Sequence, residues 1–533
     1  MSSTEELFAR YGAAYRPLAT VTALLAAIAV ILSATIVNVA IPDVMGAFGI
    51  DQVQAQWLST GFLAAMTATM LLSAWADRAL GQRATMIGSL VLFALGSVLG
   101  GLAPNESVLT FARVLQGACA GVVQPLAMVV VFNVYPAHRR GAAMGLFGVG
   151  VVLAPALGPW VGGLLIDTFD WRAVFYLGVP FAAIAAVLSM LFLPSRSRDE
   201  PAPRFDWIGI LLLSVLLIAL LSAFSNGQRL GWGSDPILFG FATSLAAAVA
   251  FVWWERRTPH PMLDLRLFES LPFTAAAIVS FVLGAGLFGS TYLLPLAVQT
   301  IQGYTPTQAG LMLMPAGFVL ALVFPIAGRL SDRVPAAALI ALGLIIFAYA
   351  SYAAAEFDVN MSFATLAFLT VLTRLGLGFV FPPLSVAALR VLPRELVGQG
   401  SGTINFTRQL GGAFGVNLLA VALERRTAFH ADALTALQTA GNAITGPYLG
   451  RVAEMLQATV LPDYHHIPAS LWYLGQAIYA QARTEAFRDG FLITALVFVV
   501  ALLPTWLLHR ALRADEKVEA GGRSERALAT PNA

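Results

Sequence analysis

The stretch LATVTALLAAIAVILSATIVNVAIP, residues Leu18–Pro42, is 25 residues long and contains no charged side chain. About 20 apolar residues in a helix are enough to cross the hydrocarbon core of a bilayer. The apolar core of a cleaved signal peptide is much shorter. This stretch therefore predicts a helix that remains in the membrane.

Thirteen further hydrophobic stretches of similar length follow, so the sequence predicts an all-α polytopic membrane protein with fourteen transmembrane helices. The composition agrees, because 58% of the 533 residues are hydrophobic and 11% are charged, whereas soluble proteins contain about 25% charged residues. The predicted helices begin near Leu18, Ala55, Ala84, Val108, Gly141, Ala173, Trp207, Pro236, Leu271, Gln308, Pro335, Met361, Gly398 and Gly490.

Basic residues are distributed unevenly among the connections. The two tails and the even-numbered short connections carry 21 of the 31 Lys and Arg residues, whereas the odd-numbered short connections carry two, Arg172 and Arg229. Connections rich in Lys and Arg stay on the cytoplasmic side of a membrane. We therefore expect both termini in the cytoplasm.

Several classes of function are disfavoured by the composition. A net charge of +2 gives no reason to expect a nucleic-acid partner. Cys119 is the single cysteine, which excludes an internal disulfide framework and a cysteine metal site. His465 and His466 are adjacent and lack a cluster of carboxylates, so we expect no metal site and no cofactor. An enzyme is the least favoured class, because the predicted spans hold no nucleophile–base pair.

Two short motifs recur in matching positions. RVLQG begins at Arg113 in the fourth span and RLGLG at Arg374 in the twelfth. DRALGQR begins at Asp77 after the second span, and GRLSDR begins at Gly328 after the tenth. When spans seven and eight are set aside, each half has six helices. Internal repeats of this kind are typical of secondary transporters, whose two halves enclose a central site.

These observations predict how the chain is divided. The linker SRSRDEPAPRF is charged and contains proline, which predicts exposed chain, and the charged last tail predicts disorder. Within the long exterior loop, residues 448–460 and 467–484 predict helices on the membrane surface or against a partner. The predicted parts are a cytoplasmic tail (1–17), a six-helix bundle (18–194), a linker (195–206), an accessory helix pair (207–254), a cytoplasmic connector (255–270), a second six-helix bundle (271–510) containing the exterior loop (424–489), and a cytoplasmic tail (511–533).

Seven motifs follow one another in a specific order: TIVNVAIP ending at Pro42, GVVLAPALGPWVGG from Gly150, WRAVFYLGVP from Trp171, FDWIG from Phe205, SNGQRLGW from Ser225, YLLPLAVQTIQGYTPTQAG from Tyr292, and GSGTINFTRQLGGAFG from Gly400. In this order they resemble the major facilitator superfamily (MFS), specifically its fourteen-helix drug:proton antiporter branch, the EmrB/QacA-like multidrug exporters. The resemblance extends from about Leu24 to Leu508 and is weakest over 424–489. It implies two six-helix MFS bundles plus two accessory helices in a bacterial inner membrane.

The resemblance also implies a gate motif, in which an acid holds a neighbouring helix end and arginines lock one conformation. The first copy departs from the pattern, because its Asp–Arg pair stands one position too far ahead of the glycine and Ser73 replaces the leading glycine. A slip of one residue rotates a helical side chain by about 100°. The motif residues are Asp77, Arg78, Gly81 and Arg83 in the first copy, and Gly328, Asp332 and Arg333 in the second.

The fifth span carries two prolines and four glycines, which predict a bent and closely packed helix. In the resembled branch this antiporter motif is thought to shape the interface between the bundles. The plainer alternative is close packing of one helix against its neighbour. The residues are Gly150, Pro155, Gly158, Pro159, Gly162 and Gly163.

Three arginines, Arg113, Arg374 and Arg408, lie within predicted spans. A charge inside a membrane costs a few kcal/mol or more and normally faces a cavity. We place all three at a substrate cavity. The alternative for Arg374 and Arg408 is snorkelling toward the cytoplasmic face or bonding to free carbonyls. The resemblance adds a role in proton transfer for Arg113. Polar residues on otherwise apolar helices complete the predicted cavity, with bonding between helices as their alternative: Thr35, Asn38, Gln116, Gln124, Tyr292, Gln299, Asn405 and Gln409.

No Asp or Glu lies in the middle of a predicted span. Where the resembled branch carries an acid in LDxTIVNVAIP, this chain has Ser33, which cannot take up a proton at accessible pH. Asp43 and Asp489 remain as candidates for a proton site. An interior with arginine and without an acid predicts a preference for anionic or weakly acidic lipophilic compounds over cations.

We therefore expect a secondary active exporter of lipophilic drugs or toxic compounds that works by alternating access and is coupled to protons. The resemblance implies a periplasmic adaptor protein and an outer-membrane channel as partners, beside the lipid bilayer itself. Two alternatives stay open. One is an exporter dedicated to a single endogenous metabolite, fatty acid or siderophore, and the other is a membrane regulator that does not transport.

Overall fold

The computed structural model describes residues 4–50, 52–196, 204–439, 442–457 and 465–513, and these residues form helices and connections without a β-strand. The predicted linker and the last tail fall largely outside the described residues, at 197–203 and 514–533. The helices are α1 (Thr4–Tyr11), α2 (Tyr15–Phe48), α3 (Gln52–Met70), α4 (Leu72–Leu80), α5 (Gln82–Gly101), α6 (Glu106–Val134), α7 (Arg140–Thr168), α8 (Ala173–Tyr176), α9 (Gly178–Phe192), α10 (Trp207–Leu230), α11 (Asp235–Glu255), α12 (Leu271–Ile301), α13 (Pro306–Ser331), α14 (Ala336–Ala354), α15 (Phe363–Arg390), α16 (Val397–Ala436), α17 (Thr445–Gln457) and α18 (His466–Val500).

The number of membrane-spanning helices can be assessed from length and composition. Among the described residues, eleven helices are long and apolar enough to cross a membrane, or twelve if the bent pair α3–α4 counts as one span. The bend of 57° lies between Trp57–Met70 and Leu72–Leu80. Neither α7 nor α16 belongs to this set. Fourteen spans therefore stay a prediction.

Side-chain caps set where several of these helices begin. The first four N–H groups of a helix lack partners within it, and a cap supplies an acceptor for one of them. In α13 the arrangement is reciprocal, since Thr305 accepts from the Gln308 backbone while the Gln308 side chain accepts from the Thr305 backbone. The other side-chain caps in the described residues include Asn105, Asp206, Ser270 and Ser362, before α6, α10, α12 and α15.

Most helices pack into two groups. In the first group, α2 packs on α6, α7 and α9, while α3 packs on α6 and α5 packs on α6 and α9. In the second group, α12 packs on α15, α16 and α18, while α13 packs on α15 and α14 packs on α15 and α18. The order of contacts is the same in both, so α2, α3, α5, α6, α7 and α9 correspond to α12, α13, α14, α15, α16 and α18. Helices α10 and α11 pack on each other, and α10 also contacts α3 and α16.

The largest contacts between the groups are those of α7 with α13 and of α16 with α3, α4 and α6, and both depend on glycine. Helix α7 crosses α13 where a β-carbon on Gly141 would collide with the Gly328 carbonyl oxygen, and one on Gly145 with the Phe324 carbonyl oxygen. Helix α16 crosses the bend between α3 and α4, where a β-carbon on Gly402 would lie 2.8 Å from the carbonyl oxygen of Met70, the last residue of α3, and α16 also packs on α6. Only glycine lets helix backbones approach this closely. Both contacts lie at one end of the helices. We call this end the arginine-rich face, because Arg78 and Arg329 lie in the last turns of α4 and α13 and Arg139 and Arg394 lie in connections there.

At the opposite face, α16 and α18 are longer than a membrane requires. Helix α16 has 40 residues, which corresponds to about 60 Å of helix against a hydrocarbon core of about 30 Å. Helix α18 begins at His466, so the separate surface helix predicted for 467–484 is instead the first half of α18. The predicted loop 424–489 is thus mostly helical where it is described, with α17 packed on α18. The amino tail is also helical, and it buries Leu7 and Tyr15.

Candidate functional site

The second copy of the gate motif connects the two groups directly. The Asp332 carboxylate accepts hydrogen bonds from the backbone N–H groups of Gly141, at 2.7 Å, and Ala142, at 3.0 Å. These are among the first N–H groups of α7, which lack partners in the helix and carry its positive dipole end. The contact between Gly141 and Gly328 brings the carboxylate within reach. Arg333 lies in the turn after α13, where its N–H donates to the Leu330 carbonyl.

The first copy of the motif stays within its own group. The Asp77 side chain bonds to Gln82, and Arg78 Nε donates to the Ala74 carbonyl at 3.4 Å. Arg83 Nε donates to the Leu193 carbonyl at 2.8 Å, which joins α5 to the end of α9. Gly81 joins α4 to α5 with a φ of 82°, a left-handed conformation that favours glycine. The one-residue slip seen in the sequence thus coincides with a loss of symmetry between the copies.

Arg113 is held inside the first group by a network that we call the Arg113 network: Ser33, Leu58, Ser97, Arg113 and Gln116. Arg113 is fully buried, and its Nε donates to the Leu58 carbonyl at 3.1 Å. Its NH1 donates to the carbonyl and the hydroxyl of Ser33, both at 3.2 Å, and to Gln116 Oε1 at 2.9 Å. Gln116 Nε2 donates to Ser97 Oγ at 2.8 Å. The serine that replaces the acid of the resembled branch is therefore a direct partner of the arginine.

Arg374 occupies the equivalent place in the second group. Its NH1 donates to Ser290 Oγ at 2.9 Å and its NH2 to Thr291 Oγ1 at 2.8 Å. Arg374 lies on α15 and its partners on α12, just as Arg113 lies on α6 and Ser33 on α2. Hydroxyl groups on a neighbouring helix thus hold both Arg113 and Arg374, and the Arg374 side chain is buried among them.

Arg408 lies where α16 of the second group meets α6 of the first. Its NH2 donates to Asn405 Oδ1, and its guanidinium lies 4.7 Å from the centre of the Phe381 ring. Asn405 Nδ2 reaches Met128 Sδ on α6 at 3.3 Å. Ser401 Oγ donates to the Pro125 carbonyl, also on α6, at 3.0 Å. We call Gln124, Met128, Ser401, Asn405 and Arg408 the junction cluster; Gln124 belongs to the same turn of α6, and its buried Oε1 has no hydrogen-bond partner.

None of the three buried arginines forms an ion pair with a carboxylate among the described residues. Neutral oxygen atoms and aromatic rings surround them instead, including the Phe62 ring 4.2 Å from Arg113. Dipoles of neutral groups therefore stabilise the positive charge of these arginines, and no described carboxylate neutralises it.

The antiporter-motif helix α7 packs against α2. A β-carbon on Gly158 would lie 2.5 Å from Thr35 Oγ1, one on Gly162 would lie 2.6 Å from Ile36, and one on Gly150 would lie 2.6 Å from Leu24. Gly163 has open space beside it. The side chains of Pro155 and Pro159 lie outside the described residues, as does that of Asn38. Thr35 therefore faces this helix.

The remaining predicted residues are dispersed. Tyr292 lines an outer cavity of about 350 Å³ between α12, α16 and α18, together with Glu424, Thr427, Tyr479 and Arg483. Gln299 donates to the Pro295 carbonyl of its own helix at 3.1 Å, and Gln409 is half-buried beside Arg408.

The two proton-site candidates also lie apart. Asp43 is exposed near the end of α2. Asp489 Oδ2 is paired with Arg426 Nε and, at 2.7 Å, with His430 Nε2, so it joins α18 to α16. A proton role for either stays a prediction.

Sequence reasoning missed the arginine partners Ser290, Thr291 and Phe381, and it missed Ser97, which bonds to Gln116 beside Arg113. A signal was present, because Ser33 and Ser290 stand at matching depths of the first helix in each half. It was not recognised, because hydroxyl residues are common in apolar helices, where they also bond to the preceding turn.

The Arg113 network predicts unequal effects of two serine substitutions. Ser33→Ala removes an acceptor from a buried charge, and such a bond contributes about 1.5–3 kcal/mol. Ser97→Ala removes a bond between neutral groups, which contributes about 0.5–1.5 kcal/mol. We expect Ser33→Ala to lower the melting temperature of the purified protein in detergent more than Ser97→Ala does. Equal effects would contradict the arrangement.

Comparisons with known proteins agree with this architecture. The profile described as Major Facilitator Superfamily matches residues 23–416. The multidrug export protein EmrB of Escherichia coli K12 is 29% identical over 91% of this chain and 94% of its own length. The multidrug resistance protein B homolog of Mycobacterium tuberculosis H37Rv is 31% identical over 91% of this chain and 88% of its own length.

A solved structure shows the same fold. The proton:xylose symporter XylE superposes with a TM-score of 0.58 at 15% identity, over 93% of this chain and 96% of its own. Two groups of helices with repeated packing, joined by glycine contacts, agree with these matches, and the chain belongs to the Major Facilitator Superfamily as a polytopic membrane transporter.

Proposed function

We propose that the chain exports lipophilic drugs or toxic compounds across the bacterial inner membrane by alternating access. The observation that carries this is the pair of contacts between the groups, α7 with α13 and α16 with α4 and α6, which close the arginine-rich face. If the two groups rock against each other, these contacts open and the buried polar groups of the junction cluster become accessible. EmrB, a relative over nearly its whole length, is named as a multidrug export protein.

We further propose fourteen spans, with α7 and α16 added to the apolar set. Helix α7 packs on α2 and α13, and α16 packs on α12 and α18, so both lie among helices that span. The parts are those predicted above: bundles 18–194 and 271–510, and the accessory pair 207–254. The arginine-rich face would be cytoplasmic. Reporter tags on the two ends should therefore appear on the same, cytoplasmic side; opposite sides would overturn the topology.

For the substrate we propose anionic or weakly acidic lipophilic compounds. Arg408 lies at the junction of the groups, and no described carboxylate neutralises it. An uncompensated positive charge in a low-dielectric site attracts anions and repels cations. Phe381 beside it and Met128 beside Asn405 supply apolar surface for a lipophilic body. Coupling to protons is part of this proposal, although Ser33 cannot carry the proton.

The long ends of α16 and α18 are our candidate for the adaptor contact. Ile467, Leu471 and Trp472 on α18 are exposed by 71%, 52% and 60%, in the part of the helix that extends past the apolar stretch. Exposed apolar residues of this kind mark protein contacts. Photo-crosslinking from position 472 in the native host should capture a periplasmic protein, and the absence of any product would count against this contact.

The Asp332 cap predicts how the conformational equilibrium responds to mutation. Asp332→Asn places an amide donor among backbone donors and removes charge-assisted bonds that contribute about 1.5–3 kcal/mol each. We expect a cysteine introduced at Ser331, in a Cys119→Ser background, to react roughly tenfold faster with a thiol reagent in the Asp332→Asn variant. The reason is that a change of about 1.4 kcal/mol in the free energy of opening changes the open population tenfold. Asp77→Asn is the matched control and should change labelling little. Equal acceleration by both variants would contradict the asymmetry.

Counterflow in proteoliposomes tests substrate and coupling together. With matched anionic and cationic lipophilic dyes, we expect faster counterflow of the anion, and a further increase with an opposing pH gradient. Arg408→Gln should slow the anion several-fold and leave the cation as fast or faster, because it removes a charge at the junction that attracts anions and repels cations. Arg451→Gln, on the exposed side of α17, is the control. Preference of the wild-type protein for the cation would overturn the substrate proposal, and uptake of a single endogenous metabolite alone would favour the dedicated exporter.

A further inference from the structure

Two carboxylates meet where the accessory pair joins the second group. Asp206 caps α10, and its Oδ1 accepts from Gly209 N and from Trp254 Nε1, both at 2.8 Å. Glu255 ends α11, is 3% exposed, and its Oε2 accepts from Leu263 N at 3.2 Å. Each carboxylate therefore has one oxygen bonded to a donor that holds the joint together.

The other oxygen of each carboxylate is buried and has no hydrogen-bond partner. These atoms are Asp206 Oδ2 and Glu255 Oε1. Both face the same space above Gly209, because a β-carbon on this glycine would collide with Asp206 Oδ2 and lie 2.8 Å from Glu255 Oε1. Any larger residue at position 209 would fill the space that the two oxygens share.

No basic residue described in the structure forms an ion pair with either carboxylate. The nearby Asp264 is bonded to Arg266, with 2.6 Å between its Oδ2 and Arg266 NH2. That hydrogen bond lowers the pKa of Asp264, so Asp264 adds negative charge beside the pair. An inner cavity of about 190 Å³ adjoins Asp206, and its other titratable or charged lining residues are Arg78, His260, Asp264, Arg266 and Glu395.

Two ionised carboxylates cannot share a buried space without a cation or a proton between them. A neutral carboxylic acid instead donates one hydrogen bond, which would satisfy both unpartnered oxygens at once. We propose that Asp206 and Glu255 form a proton-binding site that holds one shared proton between Asp206 Oδ2 and Glu255 Oε1.

Loss of this proton leaves two negative charges facing each other across the joint of α10, α11 and the connector that leads to α12. The same connector accepts a hydrogen bond from Gln399 of α16 to the Pro261 carbonyl at 3.1 Å. Repulsion between the two deprotonated carboxylates would therefore displace the connector, and through it α16, which joins the two groups at the arginine-rich face. This role in coupling depends on the proposed transport function, whereas proton binding itself does not.

The test uses purified full-length protein without substrate, so it is independent of transport. Infrared difference spectra between about pH 6 and about pH 9 should show the carbonyl stretch of a buried protonated carboxylic acid in the wild type. Glu255→Gln and Asp206→Asn should both lose it, because each amide can donate to the remaining carboxylate and removes the need for a proton. Glu269→Gln, an exposed glutamate of the same connector, should keep it.

Thermal stability gives a second measurement with a defined sign. The unfolded chain releases these protons near pH 4, whereas the folded pair would retain one to higher pH. The folded state then binds more protons, so its stability falls as pH rises, by up to about tenfold in the unfolding equilibrium per pH unit. We expect the apparent melting temperature to fall between about pH 6 and pH 8 in the wild type and in Glu269→Gln, and to fall less in Glu255→Gln.

Two results would overturn the proposal. One is the absence of a protonated carboxylic acid signal that depends on Glu255 and Asp206. The other is stabilisation of the wild type by sodium at constant ionic strength, lost in Glu255→Gln, which would identify a metal cation as the occupant. Failure of drug export with an intact infrared signal would reject the transport proposal and leave the proton site standing.

Discussion

Hydrocarbon offers no hydrogen-bond partner, so each polar group that this chain buries must be satisfied by the chain itself. For the backbone the consequence is a helical fold throughout the described residues. For side chains the consequence is clustering. Arg113 and Arg374 are each held by hydroxyls of the first helix of their own group, and Arg408 is held by Asn405 and Phe381 at the junction.

The same constraint explains how the two halves differ. Both copies of the repeat keep a buried arginine on equivalent helices, but only Asp332 caps a helix of the other group. Asp77 is shifted by one residue and bonds to Gln82 within its own group. One face is thus closed by a charged cap at α7 and by close glycine packing at α16. The contact at α7 therefore has charge-assisted hydrogen bonds that the contact at α16 lacks, although the helices around the two contacts are arranged alike.

No acidic residue lies in the middle of a predicted span of this chain. Ser33 occupies the position of the usual acid, and in the structure it bonds to Arg113 as a neutral acceptor. The half-buried Asp206 and the buried Glu255 lie instead at the arginine-rich face, between the accessory pair and the connector to α12. The proposed anion site at the junction cluster and the proposed proton site at Asp206 and Glu255 are therefore two different places. Substrate and proton would then not compete for one residue, and coupling between them would act through helix movement.

The sequence alone was enough to predict a polytopic helical protein, its internal repeat and its superfamily, because apolar length, arginine placement and ordered motifs are local properties of the chain. It also indicated that Arg113, Arg374 and Arg408 need partners. Which residues meet could be decided only by the tertiary structure. The predicted cavity residues separate into the Arg113 network, the Arg374 site, the junction cluster and the outer cavity, because helices far apart in sequence supply their partners and a hydropathy pattern contains no information about which helices touch. The joint of Asp206 and Glu255 was missed for the same reason: 49 positions separate them, and only the packing of α10 on α11 brings their two unpartnered oxygens to one glycine.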